Sequence, residues 1–307
     1  MGNGPERETL VIPRARGASG VPPRIAQWLR PRLLRWRSVW RSRLTFLGAV
    51  TTLLMVLVAM FAPQLAPYPY QEVHLPDRLS PPTLAYLLGT DQFGRDVLSR
   101  IIYGAQVSLA VGVTSTLIAL VLGVILGCIA AFYGGWTDEA IMRAMDVVMA
   151  FPSLILAIAL IAVTGPSMTN LVLVIGLLRV PEFSRVTRGS ALAIKEKEFV
   201  EAGRALGLRD ARLITRHILP NILAPILVLA TLAVSTAISA EAALSFLGLG
   251  VQPPVPSWGQ MLADGRQYML GAPWLATFPG LAISVTILGI NLFGDGLRDA
   301  LDPRLHH

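Results

Sequence analysis

The sequence predicts an all-α integral membrane protein with six transmembrane helices. Three observations carry that prediction. The 307 residues are 53% hydrophobic and only 15% charged, with a mean hydropathy of +0.59; that balance excludes disorder and departs from ordinary soluble domains. Six apolar stretches approach the roughly 20 residues of helix that cross a bilayer. The 26 Lys and Arg residues, which leave a net charge of +7, fall very unevenly on the two sides that those stretches define.

The elements follow in order. Residues 1–44 form a basic segment with ten arginines, Arg7 to Arg43. From Arg24 to Arg43, Trp28, Leu29, Leu33, Trp36 and Trp40 stand among those arginines. That pattern fits a helix lying on the inner leaflet, broken at Pro31. Residues 45–62 are the first transmembrane helix, apolar from about Leu44 to Phe61 and closed by Pro63. Residues 63–104 hold six prolines between Pro63 and Pro82 and read as an extracytoplasmic loop; within it Thr90-Asp91 reads as a helix N-terminus. Residues 105–296 carry five further spans. These run about Val107–Phe132, Met145–Val163, from Asn170 onward, Ile222–Leu247 and Trp274–Phe293. Arg179 and Pro181 interrupt the fourth span. Leu249–Pro273 reads as a second proline-bearing loop, and 297–307 as a tail.

An even number of spans puts both termini on one side. That side carries the ten N-terminal arginines, Arg143, nine bases from Arg179 to Arg216, and Arg298 and Arg304, 22 in all. The other carries Arg78, Arg95, Arg100 and Arg266. Basic loops stay in the cytoplasm, so both termini are expected there. Tryptophan interleaved beside a span points the basic surplus at lipid headgroups and not at nucleic acid.

Several chemistries are excluded. The two lysines, Lys195 and Lys197, are each followed by Glu, so no Gly-Lys-Ser/Thr loop can cradle nucleotide phosphates. Cys128 is alone and the four histidines are scattered, which leaves no disulfide, zinc pattern or metal site. If ATP drives this protein, another chain binds it.

The stretch from Glu196 to Asn221 is too polar for the membrane and too patterned for a linker. Phe199, Ala202, Gly203 and Leu206 recur at helical spacing. Gly207 suits a helix stop, Asp210 the N-cap of a second helix, and Pro220 the start of the fifth span. Such a hairpin either docks into a partner's groove or packs on its own bundle.

Glu201-Ala202-Gly203, three residues, Gly207, nine residues, His217-Ile218-Leu219-Pro220 resembles the E-A-A-x3-G-x9-I-x-L-P signature of bacterial ABC importer permeases. Gly203 replaces the second Ala, and His217 stands at the usual Ile position. Leu88 to Asp96 (LGTDQFGRD), Ala240 to Gly250 (AEAALSFLGLG), Pro256-Ser257-Trp258-Gly259 and Gly294 to Pro303 (GDGLRDALDP) resemble the second, C-type permease subunit of the dipeptide, oligopeptide and nickel family. The likeness spans about residues 40–305.

The resemblance implies a type I importer fold, with 105–296 as the permease core and a cytoplasmic coupling helix formed by Glu201, Ala202, Gly203, Arg204 and Gly207. It implies a homologous second permease, two ATP-binding subunits that hold ATP and Mg, and an extracytoplasmic substrate-binding protein. The chain itself is then no enzyme and binds no cofactor. Asp91, Arg95, Asp96 and Trp258 are candidates for docking the binding protein, or else a structural cap. Arg179 and Glu241 are charges inside spans, which are costly and often functional. They line the pathway, or they are satisfied locally, Arg179 by Glu182 and Glu241 by Ser239 or Ser245. Dipeptides, oligopeptides, glutathione and nickel chelates are all carried by such permeases. An ion-driven secondary transporter would call for inverted repeats and paired midplane acids, and an integral-membrane enzyme for clustered His, Asp or Cys; neither pattern is evident.

Overall fold

A computed structural model describes residues 42–301. The interfacial helix expected over Arg24–Arg43 falls outside them, apart from Ser42 and Arg43, as does the tail beyond Leu301. Ser42 caps α1 (Arg43–Met60), and its hydroxyl accepts from the Thr45 N–H. Only Thr45 and Gly48 of α1 are buried; the remaining face is apolar and exposed, as a lipid-facing helix requires. After a single turn, α2 (Ala62–Leu65), the chain winds through the proline-rich segment to α3 (Val97–Tyr133).

α3 starts ten residues before the expected span. The Asp96 carboxylate accepts from the Ser99 N–H at 2.8 Å and fixes that start, whereas Thr90 pairs with Asp96 in an isolated antiparallel bridge and Asp91 opens the turn between them. At 37 residues, α3 is about 55 Å long, well beyond the ~30 Å hydrocarbon core. Hydropathy reveals only its submerged part.

The third span is not one helix. α4 (Gly135–Met149) and α5 (Ser153–Thr164) meet at 85°. Pro152 lacks an N–H to continue α4 and holds Phe151 out of helical conformation. The fourth span is corrected the opposite way. α6 (Met168–Lys195) runs unbroken through Arg179 and Pro181. Among the described residues, four helices are apolar enough to cross a membrane, or five if α4–α5 counts as one span. α6 is long enough, but Arg179, Glu182, Arg185 and Arg188 make it too charged, so six expected spans do not become six apolar helices.

α7 (Glu198–Ala205) and α8 (Asp210–Leu213) form the hairpin. Arg209, not Asp210, occupies the N-cap of α8, with no side-chain cap bond. A π turn, Ile214–Ile218, leads into α9 (Leu219–Phe246). Pro220 cannot donate to the carbonyl four residues back and would clash with it; the Leu219 N–H bonds instead to the Ile214 carbonyl, widening the turn. The second loop contains a helix of its own, α10 (Trp258–Arg266), capped by Ser257. α11 (Trp274–Leu301) then runs past the expected end of the sixth span.

α3 against α6 is the central pairing, with α9 across both, α11 against α9, and α1 outermost on α11. The α3–α6 approach depends on Gly123 and Gly127. A Cβ there would lie 2.3 Å from the Phe183 Cβ or 2.5 Å from the Ser184 carbonyl oxygen. Small residues four apart let membrane helices close up where no hydrophobic force drives them together.

Candidate functional site

Three places along α3, α6 and α9 carry the residues of interest: the hairpin at one end, a cavity beside the α4–α5 corner, and a cap at the other end. At the hairpin end, the Lys195 ammonium donates to the Ala131 carbonyl at 2.9 Å, tying the end of α6 to the end of α3. α7 follows directly. Glu198 and Glu201 in its first turn and Arg204 in its last suit the helix dipole. Gly207, at φ +73°, ends it: the Leu208 N–H reaches the Gly203 carbonyl and the Gly207 N–H reaches Arg204. This is the Schellman closure, which needs a left-handed residue.

α7 is seated on the bundle by Val200 and Gly203, its buried residues. Val200 joins a core with Phe132, Phe183, Ala191 and Leu213, and the Arg204 guanidinium lies 5.1 Å from the Phe132 ring centroid. A Cβ on Gly203 would come 2.8 Å from the Leu213 side-chain tip, a flexible group that can shift. The expected apolar face is therefore split. Gly203 turns inward, while Phe199, Ala202 and Leu206 face outward, Leu206 being 82% exposed. Glu201 and Arg204 are exposed beside them.

The cavity holds about 480 Å³, and its lining includes Met149, Phe151, Leu154, Ile175 and Leu244. Arg179 and Glu182, one turn apart on α6, share its wall and pair at 3.1 Å. Glu241 is not in this lining. It is fully buried, with Ser108 of α3 donating at 3.0 Å to one oxygen and Ser245 at 2.7 Å to the other; Ser257, the cap of α10, also lies against it. Ser239 bonds back to the Ser235 carbonyl instead. One carboxylate thus joins α3, α9 and α10.

Two ion pairs attach α4 to α6, Asp138 with Arg188 and Asp146 with Arg185. α4 buries no residue of its own, so these pairs are its principal polar hold on the bundle. Sequence reading missed them because the partners are 39 and 50 residues apart. Ser108 was missed for the same reason, 133 residues from Glu241.

At the cap end, Asp91 accepts from the Phe93 and Arg95 N–H groups and from the Arg95 side chain at 2.6 Å. Arg100 approaches the same carboxylate at 3.6 Å. Asp91, Asp96 and Trp258 are all buried. The Trp258 indole N–H donates to the Ile101 carbonyl at 2.9 Å and pins the second loop to the first turns of α3, and the Trp274 indole donates to the Thr90 carbonyl at 3.2 Å and ties the start of α11 to the first loop. Burial pushes the nearby Asp264 carboxyl above its ordinary value, with Arg100 and Arg95 pulling it back. No group of three His, Cys, Asp or Glu among the described residues could hold a metal.

Residues 123–307 match the family described as "Binding-protein-dependent transport system inner membrane component", and residues 33–82 match the N-terminal TM domain of oligopeptide transport permease C. The dipeptide transport system permease protein DppC of Alkalihalophilus pseudofirmus is 46% identical over 274 residues, 88% of this chain and 90% of that protein. The glutathione transport system permease protein GsiD of Pectobacterium atrosepticum is 43% identical over 271 residues, covering 88% and 90%. Among solved structures, an inward-facing form of the MetNI methionine ABC transporter superposes with a TM-score of 0.55 at 18% identity, over 67% of this chain and 97% of that one.

Proposed function

The chain belongs to the family of inner-membrane components of binding-protein-dependent transport systems, and from that membership we propose that it forms half of an ATP-driven import pathway for di- and oligopeptides. It is a multi-pass membrane subunit of an ABC importer and is not catalytic; ATP is hydrolysed by a separate ATPase. The peptide reading rests on relatives named for dipeptide transport, and those named for glutathione, itself a tripeptide, keep glutathione as the second reading.

In the proposed assembly a homologous permease completes the pathway, and two ATP-binding subunits carrying ATP and Mg sit on the cytoplasmic side, where both termini lie. The observation that carries the coupling role is the build of α7. Its inner face is fixed by Val200 and Gly203, while Phe199, Ala202 and Leu206 are free. A helix locked on one side and apolar on the other fits a partner's groove and passes displacement on without melting. Glu201 and Arg204 flank that face and pair with charges on the ATPase. α6 carries the motion from α7 to the cavity wall, and Arg179 lines the pathway. Glu241 holds three helices together beside it. At the opposite end, Asp91, Arg95, Asp96 and Trp258 shape the cap on which the binding protein docks, and more exposed neighbours make the contact.

The test is reconstitution with the two kinds of partner and a binding protein. ATPase activity stimulated by peptide-loaded binding protein, with uptake, supports the reading. Stimulation by a nickel chelate and by no peptide overturns it.

A further inference from the structure

Arg179 and Glu182 are poorly explained as a helix-stabilising pair. An i,i+3 pair stabilises an isolated helix by about 0.2–0.5 kcal/mol, whereas one Arg placed mid-span costs roughly 2.5–3.5 kcal/mol on insertion scales. Both residues line the cavity, their side chains 23% and 45% exposed, and Ser153 is the other polar side chain in an otherwise apolar lining. Each bonds to the other, and among the described residues neither has a second hydrogen-bond partner. A guanidinium has five donors and a carboxylate two acceptor oxygens, so both keep unused capacity beside the cavity they line.

We propose that Arg179 and Glu182 form a two-pole site for a zwitterionic peptide, Arg179 taking the terminal carboxylate and Glu182 the terminal ammonium. This rests on the peptide-import reading above. The apolar wall of Phe151, Leu154 and Ile175 receives the peptide side chains without selecting among them. In the empty pathway the poles satisfy each other, so no charge stands unpaired. An extended dipeptide spans about 7 Å, and two long side chains can part that far. Self-pairing competes with the ligand and keeps the site weak, as a pathway that must release its cargo requires. The cavity volume, about 480 Å³, lies within the ~300–1,000 Å³ range of small-ligand pockets. Glu182 thereby becomes a specificity residue, beyond its role as a partner for Arg179.

The experiment uses the full complex in liposomes and three forms of one dipeptide: free, C-terminally amidated and N-acetylated. Uptake is expressed as variant over wild type for each form, which cancels the binding protein's own selection. Arg179→Gln is expected to lower uptake of the free and N-acetylated forms about tenfold, or ~1.4 kcal/mol, and to leave the amide within about twofold. Glu182→Gln is expected to lower the free and amidated forms and spare the N-acetylated one. Arg179→Lys retains most uptake. A second measurement dispenses with the binding protein: millimolar free dipeptide raises the melting temperature of the wild-type membrane complex, and neither Gln variant shows the shift. Equal loss on all three forms, or no loss on any, overturns the two-pole site while leaving the peptide reading standing. A wild-type complex that neither imports nor is stabilised by any form overturns both.

Discussion

Gly203 and Gly207 stand four residues apart and serve different needs. Gly203 lets α7 lie close to Leu213. Its cost of roughly 1 kcal/mol against Ala in a helix is offset by that close approach. Gly207 has open space around it, so its constraint is the backbone: φ +73° disfavours any side chain by about 1–2 kcal/mol, and more for a β-branched one. Gly207→Val is therefore expected to disturb the end of α7 and reduce uptake, with ATPase activity persisting; Gly203→Ala should be nearly neutral, since the Leu213 tip can move. Uptake assays against ATP turnover check both. Glu241 is a different kind of residue, with both oxygens held by serines of different segments. Glu241→Ala leaves buried hydroxyls unpaired and opens a cavity, and should lower stability by about 2–4 kcal/mol, read as a fall in melting temperature in detergent. Glu241→Gln, which keeps both contacts possible, should cost less.

At the scale of elements, α4 is held to α6 by Asp138–Arg188 and Asp146–Arg185, pairs that a corner bent at 85° needs because α4 buries nothing. Asp138→Arg alone should loosen α4 and lower transport; the exchange Asp138→Arg with Arg188→Asp should restore most of it, measured as uptake per assembled complex. The hairpin was legible in sequence because its determinants are local: helical spacing, acids before bases, and Gly207 within one turn. α3 was only half legible, since hydropathy marks where lipid begins and the cap, Asp96, lies eleven residues outside it. α6 was misread as broken because Arg179 and Pro181 are unfavourable in isolation. Packing on α3 through Gly123 and Gly127, with ionic partners on α4 and within α6, carries the helix through them. Asp91, Asp96 and Trp258 were legible as residues worth notice, but their burial depends on two loops folding onto the first turns of α3.

Over the whole molecule, one continuous path joins α7 to the cavity: Val200 and Leu213 lock the hairpin to the core, Lys195 ties α6 to α3, and α6 brings Arg179 and Glu182 to the cavity wall. The orientation that this requires is testable by placing single cysteines in a chain whose native thiol, Cys128, is buried and replaced by Ser. Leu206→Cys should react with an impermeant maleimide from the cytoplasmic side alone, and Leu84→Cys, at a position 98% exposed in the other end's loop, from the outside alone. The proposed function turns on the outer face of α7 coupling ATP hydrolysis to movement of the pathway. Its most direct measurement compares ATPase activity and peptide uptake in proteoliposomes holding the complete complex, wild type against Glu201→Lys and Phe199→Asp with Leu206→Asp. Peptide-loaded binding protein is expected no longer to stimulate ATP hydrolysis in these variants, and uptake is expected to fall at least tenfold. Wild-type stimulation and uptake in both variants would contradict it.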